Sequence, residues 1–132
     1  DILYSADIDL TDLGPWYGGA SSDVDDFIAS IKRIKNIQPS TIVSAHLGIV
    51  KDRISERIDQ YLDHIYLKDE RLLEALKTPQ TLEDMVKDHL FYVKAPRTSL
   101  YDFFEKVWIS VHLDRLERLG LVKKDEELYY RT

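Results

Sequence analysis

Cysteine is absent from the 132 residues and methionine occurs once. The first absence removes disulfides, thiolate metal sites and thiol nucleophiles together, and is compatible with a cytoplasmic location. No apolar run approaches the about 18 residues of a membrane span, so no membrane partner is expected. The N-terminal residues lack the layout of a signal peptide. A surplus of positive charge is also missing: the formal net charge is −6. Non-specific binding to nucleic acid is therefore not the default expectation.

What remains is ordinary for a globular protein, with 44% hydrophobic and 32% charged residues. The length suits one domain or two very small ones and a modest core. Residues 1–79 hold 14 acidic and 9 basic side chains, while residues 80–132 hold 10 and 9. The acidic excess thus lies in the first part, where metal ligands and charged helix faces would be.

Ile2-Leu3-Tyr4-Ser5-Ala6 reads as a short buried strand. The Gly- and Pro-rich stretch from Ile8 to Ser22 is too long for a simple turn and reads as a functional or lid-like loop. Ser22 with Asp25 is a capping pattern that opens a helix with Val24, Phe27, Ile28, Ile31 and Ile34 at helical spacing, and Pro39 follows its end. Thr41-Ile42-Val43-Ser44-Ala45 is a second strand. Asp52 can cap a long helix carrying Ile54, Ile58, Tyr61, Leu62, Ile65, Leu72, Leu73 and Leu76. Strand, helix, strand, helix is the order of an α/β layer, whose ligand sites lie at the carboxyl ends of strands.

Asp7 and His46 occupy those two ends. A carboxylate and an imidazole so placed are suited to sharing zinc, iron or manganese. Alternatives stay open at this point: Asp7 as a turn or cap residue, His46 as a capping or surface residue, and Trp16 and Tyr17 as core plugs beneath the loop. Single His64, His89 and His112 on helices are explained by packing or solvent, and Asp9, Asp12, Asp23, Asp25 and Asp26 by capping and solvation.

Thr78-Pro79-Gln80 punctuates the chain, so a boundary is placed there, giving domains 1–79 and 80–132. Thr81 with Asp84 starts a helix through Leu82, Met85, Val86, His89 and Leu90. Ser99 with Asp102 caps a helical stretch from Phe103 to Leu119, with a break expected near Glu105 and Gly120 as its C′ residue. Leu121-Val122-Lys123 and Leu128-Tyr129-Tyr130 read as paired strands. Three helices and a terminal hairpin describe a small winged-helix α+β domain.

The runs Ser5-Ala6-Asp7-Ile8-Asp9, Gly14-Pro15-Trp16-Tyr17-Gly18, Ser22 to Ile28 and Ser44-Ala45-His46 together resemble the second half of metallo-β-lactamase-fold hydrolases. The resemblance implies an α/β fold, the second half of an αββα sandwich, over residues 1–79. It implies that Asp7 bridges two divalent metals and orients the nucleophile, and that His46 is the last ligand. It implies zinc, with iron or manganese as alternatives, and a substrate pocket shaped by Trp16 and Tyr17. The substrate would be a small molecule or a phosphodiester. Trp108-Ile109-Ser110-Val111-His112-Leu113 is similar to the helix of the winged-helix-like domain that several members append.

The family's His-x-His-x-Asp-His motif is missing, and Ala6 and Ala45 stand where Gly is usual. The chain also begins at Asp1, almost inside its first strand. It is therefore read as the C-terminal part of a larger metalloenzyme whose N-terminal half is its missing partner. Alone it is expected to be inactive, with no metal or partial occupancy. The alternative is a winged-helix module for nucleic acid or for homodimer formation. A small complete interaction domain is a third reading, disfavoured by the edges and apolar faces that a two-stranded layer exposes.

Overall fold

The computed structural model describes residues 1–19 and 21–132. Among these described residues there are four helices and two small sheets in two compact units, one made of residues 1–16 and 25–66, the other of 17–24 and 67–132. No helix among the described residues is long and apolar enough to cross a membrane.

In the first unit, β1 (Ile2–Ala6) pairs in parallel with β2 (Thr41–Ser44), and β2 pairs antiparallel with β3 (Gly48–Val50). The sheet order is β1-β2-β3. The parallel pair requires a crossover, supplied by helix α1 (Val24–Ile37). Its apolar spacing works as read: Ile28, Ile31 and Ile34 are buried, Asp25 and Asp26 lie in the first turn and Lys35 in the last, matching the helix dipole. The next helix, α2 (Ile54–Ala75), buries Ile58, Tyr61, Leu62 and Ile65 in this unit, and Lys35 is ion-paired to Asp59. Three-residue β3 is too short to carry a periodic signal, so the sequence reading passed directly from the turn at His46 to the helix.

Side chains alternate across this sheet. Ser5, Ile42, Ser44 and Val50 are buried, whereas Ile2, Tyr4 and Ile49 are exposed. Tyr4, Val43 and Ile49 are in register across the three strands, so the outward face carries an apolar row.

In the second unit, β4 (Gln80–Thr81), β5 (Val122–Asp125) and β6 (Leu128–Arg131) form an antiparallel sheet in the order β4-β6-β5. Helices α3 (Leu82–Asp88) and α4 (Ser99–Arg118) pack with the end of α2 around Leu72, Leu76, Met85, Ile109, Leu113, Leu116 and Val122. Thr81 caps α3 as its sequence implies, accepting from Asp84 N and bonding the Asp84 carboxylate. α3 ends earlier than expected, at His89, which adopts a left-handed conformation with φ 50°. The cap of α4 is Thr98, one residue before the expected Ser99.

α4 also runs unbroken through Glu105. A charged residue inside an apolar stripe suggests an interruption, but Glu105 is fully buried and its carboxylate accepts from Phe91 N at 2.7 Å and Tyr92 N at 3.0 Å. The helix therefore anchors the preceding loop instead of breaking. Burial pushes the Glu105 carboxyl above its ordinary range, opposed by those two backbone donors. Gly120 (φ 71°) stands at C′ as read, and Leu121 N closes on Leu116 O at 2.9 Å.

Candidate metal-site residues at the strand ends

The parallel register runs Ile2 to Thr41, Leu3 to Ile42 and Tyr4 to Val43, then shifts so that Ala6 opposes Ser44. This one-residue irregularity at Ser5 is a bulge, a device that re-aims the chain where a strand ends. Ala6 follows in the left-handed region at φ 49°. Ala45 N then donates to Ala6 O at 2.9 Å, fastening the two strand ends side by side. Asp7 and His46 are the next residues of the two segments, so both leave the same end of the sheet.

Asp7 is exposed in a turn. His46 is exposed as well, with 64% of its side chain accessible, yet its ring is held: Nδ1 lies 3.0 Å from Asp9 Oδ2. Asp9 is itself only 9% exposed. Its other oxygen, Oδ1, accepts from Thr11 N at 3.2 Å, Thr11 Oγ1 at 3.1 Å and Tyr61 Oη at 3.1 Å. Ser44 Oγ donates to Asp9 O at 3.3 Å, and Tyr61 Oη also lies 3.4 Å from Asp7 O. Burial raises the Tyr61 phenol well above its ordinary range, and the Asp9 charge adds to the effect. Tyr61 therefore stays a donor throughout the neutral range.

Asp9 corrects the sequence reading. Capping is right, since the side chain bonds Thr11 N, but solvation is not. Tyr61 was legible only as an apolar-face residue of α2. A phenol buried there has to find an acceptor, and that requirement was the available pointer to Asp9.

Of the two residues read as pocket-forming, Trp16 is half exposed. Tyr17 is 3% exposed and belongs to the second unit. Its ring stacks on Trp108 at 5.5 Å, and its hydroxyl is 2.7 Å from His112 Nε2. His112 Nδ1 is 2.7 Å from Asp69 Oδ1, and the second Asp69 oxygen is ion-paired to Arg115. Burial lowers the fully buried imidazole, with Asp69 opposing the shift. His112 is thus buried inside the second unit with both ring nitrogens engaged.

Among the described residues, no group of three or more His, Asp or Glu is gathered closely enough to hold a metal ion. Asp7 and His46 are metal-compatible donors, but two ligands fall short of the three or four protein ligands that zinc centres use. They fit as part of a centre.

No protein-family model matches the sequence. A metallo-β-lactamase family protein of Thermus thermophilus superimposes with a TM-score of 0.76 and 26% identity, covering 99% of this chain and 42% of that one. Over its length this chain shares part of the fold of that protein. A β-lactamase domain protein from Burkholderia ambifaria shares the fold, with a TM-score of 0.67 at 18% identity, over 80% of this chain and 32% of its own. The Beta-lactamase-like protein 2 homolog of Caenorhabditis elegans is 26% identical over 74 residues, 56% of this chain. The chain spans about a quarter, 25%, of the length of that curated relative.

Proposed function

We propose that this chain supplies Asp7 and His46 to a dinuclear metal centre of a metallo-β-lactamase-superfamily hydrolase. The other ligands would come from the part of the relatives' fold that these residues do not span. Asp7 would help hold both ions and His46 one of them. Zinc is the expected metal, with iron or manganese as alternatives, and the substrate is a small molecule or phosphodiester in the cytoplasm. Divalent ions held there would supply Lewis acidity and a nucleophilic oxygen near neutral pH. The Asp7 carboxylate would help position the nucleophile, and Trp16 and Tyr17 would shape the substrate pocket.

One observation carries this reading: the Ala45 N to Ala6 O bond, at 2.9 Å, which puts the two donors one residue beyond a shared anchor. Zinc titration by calorimetry tests it. The 132-residue chain should bind weakly, with no hydrolytic turnover. Tight binding of two ions would contradict the reading that it supplies only part of the centre.

A winged-helix reading of residues 80–132 draws support from the order β4, α3, α4, β5, β6 and from the sheet order β4-β6-β5. Within it, nucleic-acid contact has little to work with. Arg115 is engaged by Asp69, Arg118 by Asp23 and Lys106 by Glu83, whereas phosphate contacts need uncommitted positive charge. Homodimer formation through Tyr129 and Tyr130 is the better use of this segment. Trp108, at 6% exposure, is spent on the interior. Filter binding at low salt, with a Lys123/Lys124 double variant as control, separates the two uses.

A further inference from the structure

His46 has two ring nitrogens, and the fold treats them differently. Nδ1 faces Asp9 Oδ2 at 3.0 Å, while Nε2 has no hydrogen-bond partner among the described residues. A carboxylate in that place accepts and cannot donate, so it selects the tautomer that carries its proton on Nδ1. Free histidine prefers the opposite tautomer, with the proton on Nε2. We propose that Asp9 is a positioning residue that fixes His46 as the Nδ1–H tautomer and so keeps the Nε2 lone pair open for a cation. The value of that lone pair rests on the reading of His46 as a metal ligand; the tautomer itself does not.

Asp9 is equipped for this because it is immobilised from the other side. Its Oδ1 is surrounded by three donors, Thr11 N, Thr11 Oγ1 and Tyr61 Oη, on a loop and on α2. One of these, the Thr11 amide, can only donate. The carboxylate therefore cannot rotate away without leaving a backbone donor unsatisfied, and a residue with 9% exposure has little water to replace it. The bonds turn an exposed imidazole, which would otherwise sample both tautomers, into one with a defined acceptor nitrogen.

The substitution Asp9→Asn makes a sharp test. The asparagine oxygen must stay on the Thr11 side, since the amide there only donates. The NH2 group then faces His46 Nδ1 and should invert the tautomer. Nitrogen-15 NMR of the labelled chain at about pH 8.5, above the usual imidazole range, reads the two ring nitrogens directly. Wild-type chain is expected to show a protonated Nδ1 and a bare Nε2, Asp9→Asn the reverse, and Tyr61→Phe the wild-type pattern. A wild-type ring with its proton mainly on Nε2 would overturn the proposal, even if Asp9→Asn does not fold. So would an Asp9→Asn chain that folds and keeps the wild-type tautomer. In a parallel zinc titration, Asp9→Asn should weaken binding about 10–100-fold. A folded Asp9→Asn chain with the inverted tautomer and unchanged zinc affinity would sink the reading of His46 as a ligand and leave the positioning role standing.

Discussion

The Tyr17 hydroxyl donates to His112 Nε2 across 2.7 Å, inside a unit where neither side chain meets appreciable solvent. The direction of the bond follows from the other side of the ring. Asp69 Oδ1 accepts from Nδ1–H at 2.7 Å, which leaves Nε2 as an acceptor for the phenol. Tyr17, His112, Asp69 and Arg115 thus form one chain of polar groups, each satisfied by the next, and it ties the segment after Trp16 to α2 and α4.

Removing the phenol oxygen should expose the value of that chain. Tyr17→Phe keeps the stacking on Trp108 but strands a buried acceptor, at a cost of about 1–3 kcal/mol. Urea unfolding monitored by near-ultraviolet circular dichroism would report it. An unchanged midpoint would mean that water replaces the hydroxyl.

Acid should weaken this unit before carboxylates are protonated. Burial holds the His112 imidazole below its usual value of 6.5, so the unfolded chain takes up a proton first as pH falls. Stability is then fully present above 6.5 and declines from there down to the folded-state value, with a slope of at most about 1.4 kcal/mol per pH unit. Melting temperatures between neutral pH and about pH 5 should fall in wild-type chain and fall less steeply in His112→Gln.

Ala6 occupies a left-handed conformation, φ 49°, that costs a residue with a Cβ about 1–2 kcal/mol. Glycine removes that strain while losing about 0.5–1 kcal/mol through the freedom of the unfolded chain. Ala6→Gly is therefore expected to leave stability unchanged or raise it by up to about 1 kcal/mol. A clear destabilisation in denaturant melts would show that the Ala6 methyl contributes packing that outweighs the backbone.

Gly14 is the opposite case. Its φ is 79°, and a Cβ there would stand 2.7 Å from His64 Cγ, well inside contact distance. Gly14→Ala combines a strained backbone with a ring that must move, so a loss of more than about 1 kcal/mol is expected. Thermal melts check the magnitude, and faster amide exchange through residues 11–16 would locate it.

The two strand ends were legible because a short apolar run stops at a polar residue in both places, and the parallel pairing then follows from the helix between them. α1 and the apolar faces of α2 and α4 were legible from spacing. β3 and β4 were not: with three and two residues they exist through the partners they bond, which periodicity does not register. Glu105 misled because a carboxylate in a helix interior reads as exposed unless its backbone donors, fourteen and thirteen residues earlier, are known. The same long-range dependence hid the link from Tyr61 through Asp9 to His46. Each residue is unremarkable in its own segment, and the relation exists only when β1, β2 and α2 are assembled.

The outward row on the first sheet has a practical consequence. Ile2, Tyr4 and Ile49 are 77%, 69% and 67% exposed, on a sheet whose β1 edge pairs with no further strand among the described residues. Hydrophobic attraction at such a surface strengthens with warming and with sulfate, whereas the repulsion from six surplus negative charges is damped by any salt. Purified chain should accordingly stay clearest when cold and dilute in buffers of low ionic strength, and a single lysine in place of Ile49 should widen that range more than added charge elsewhere.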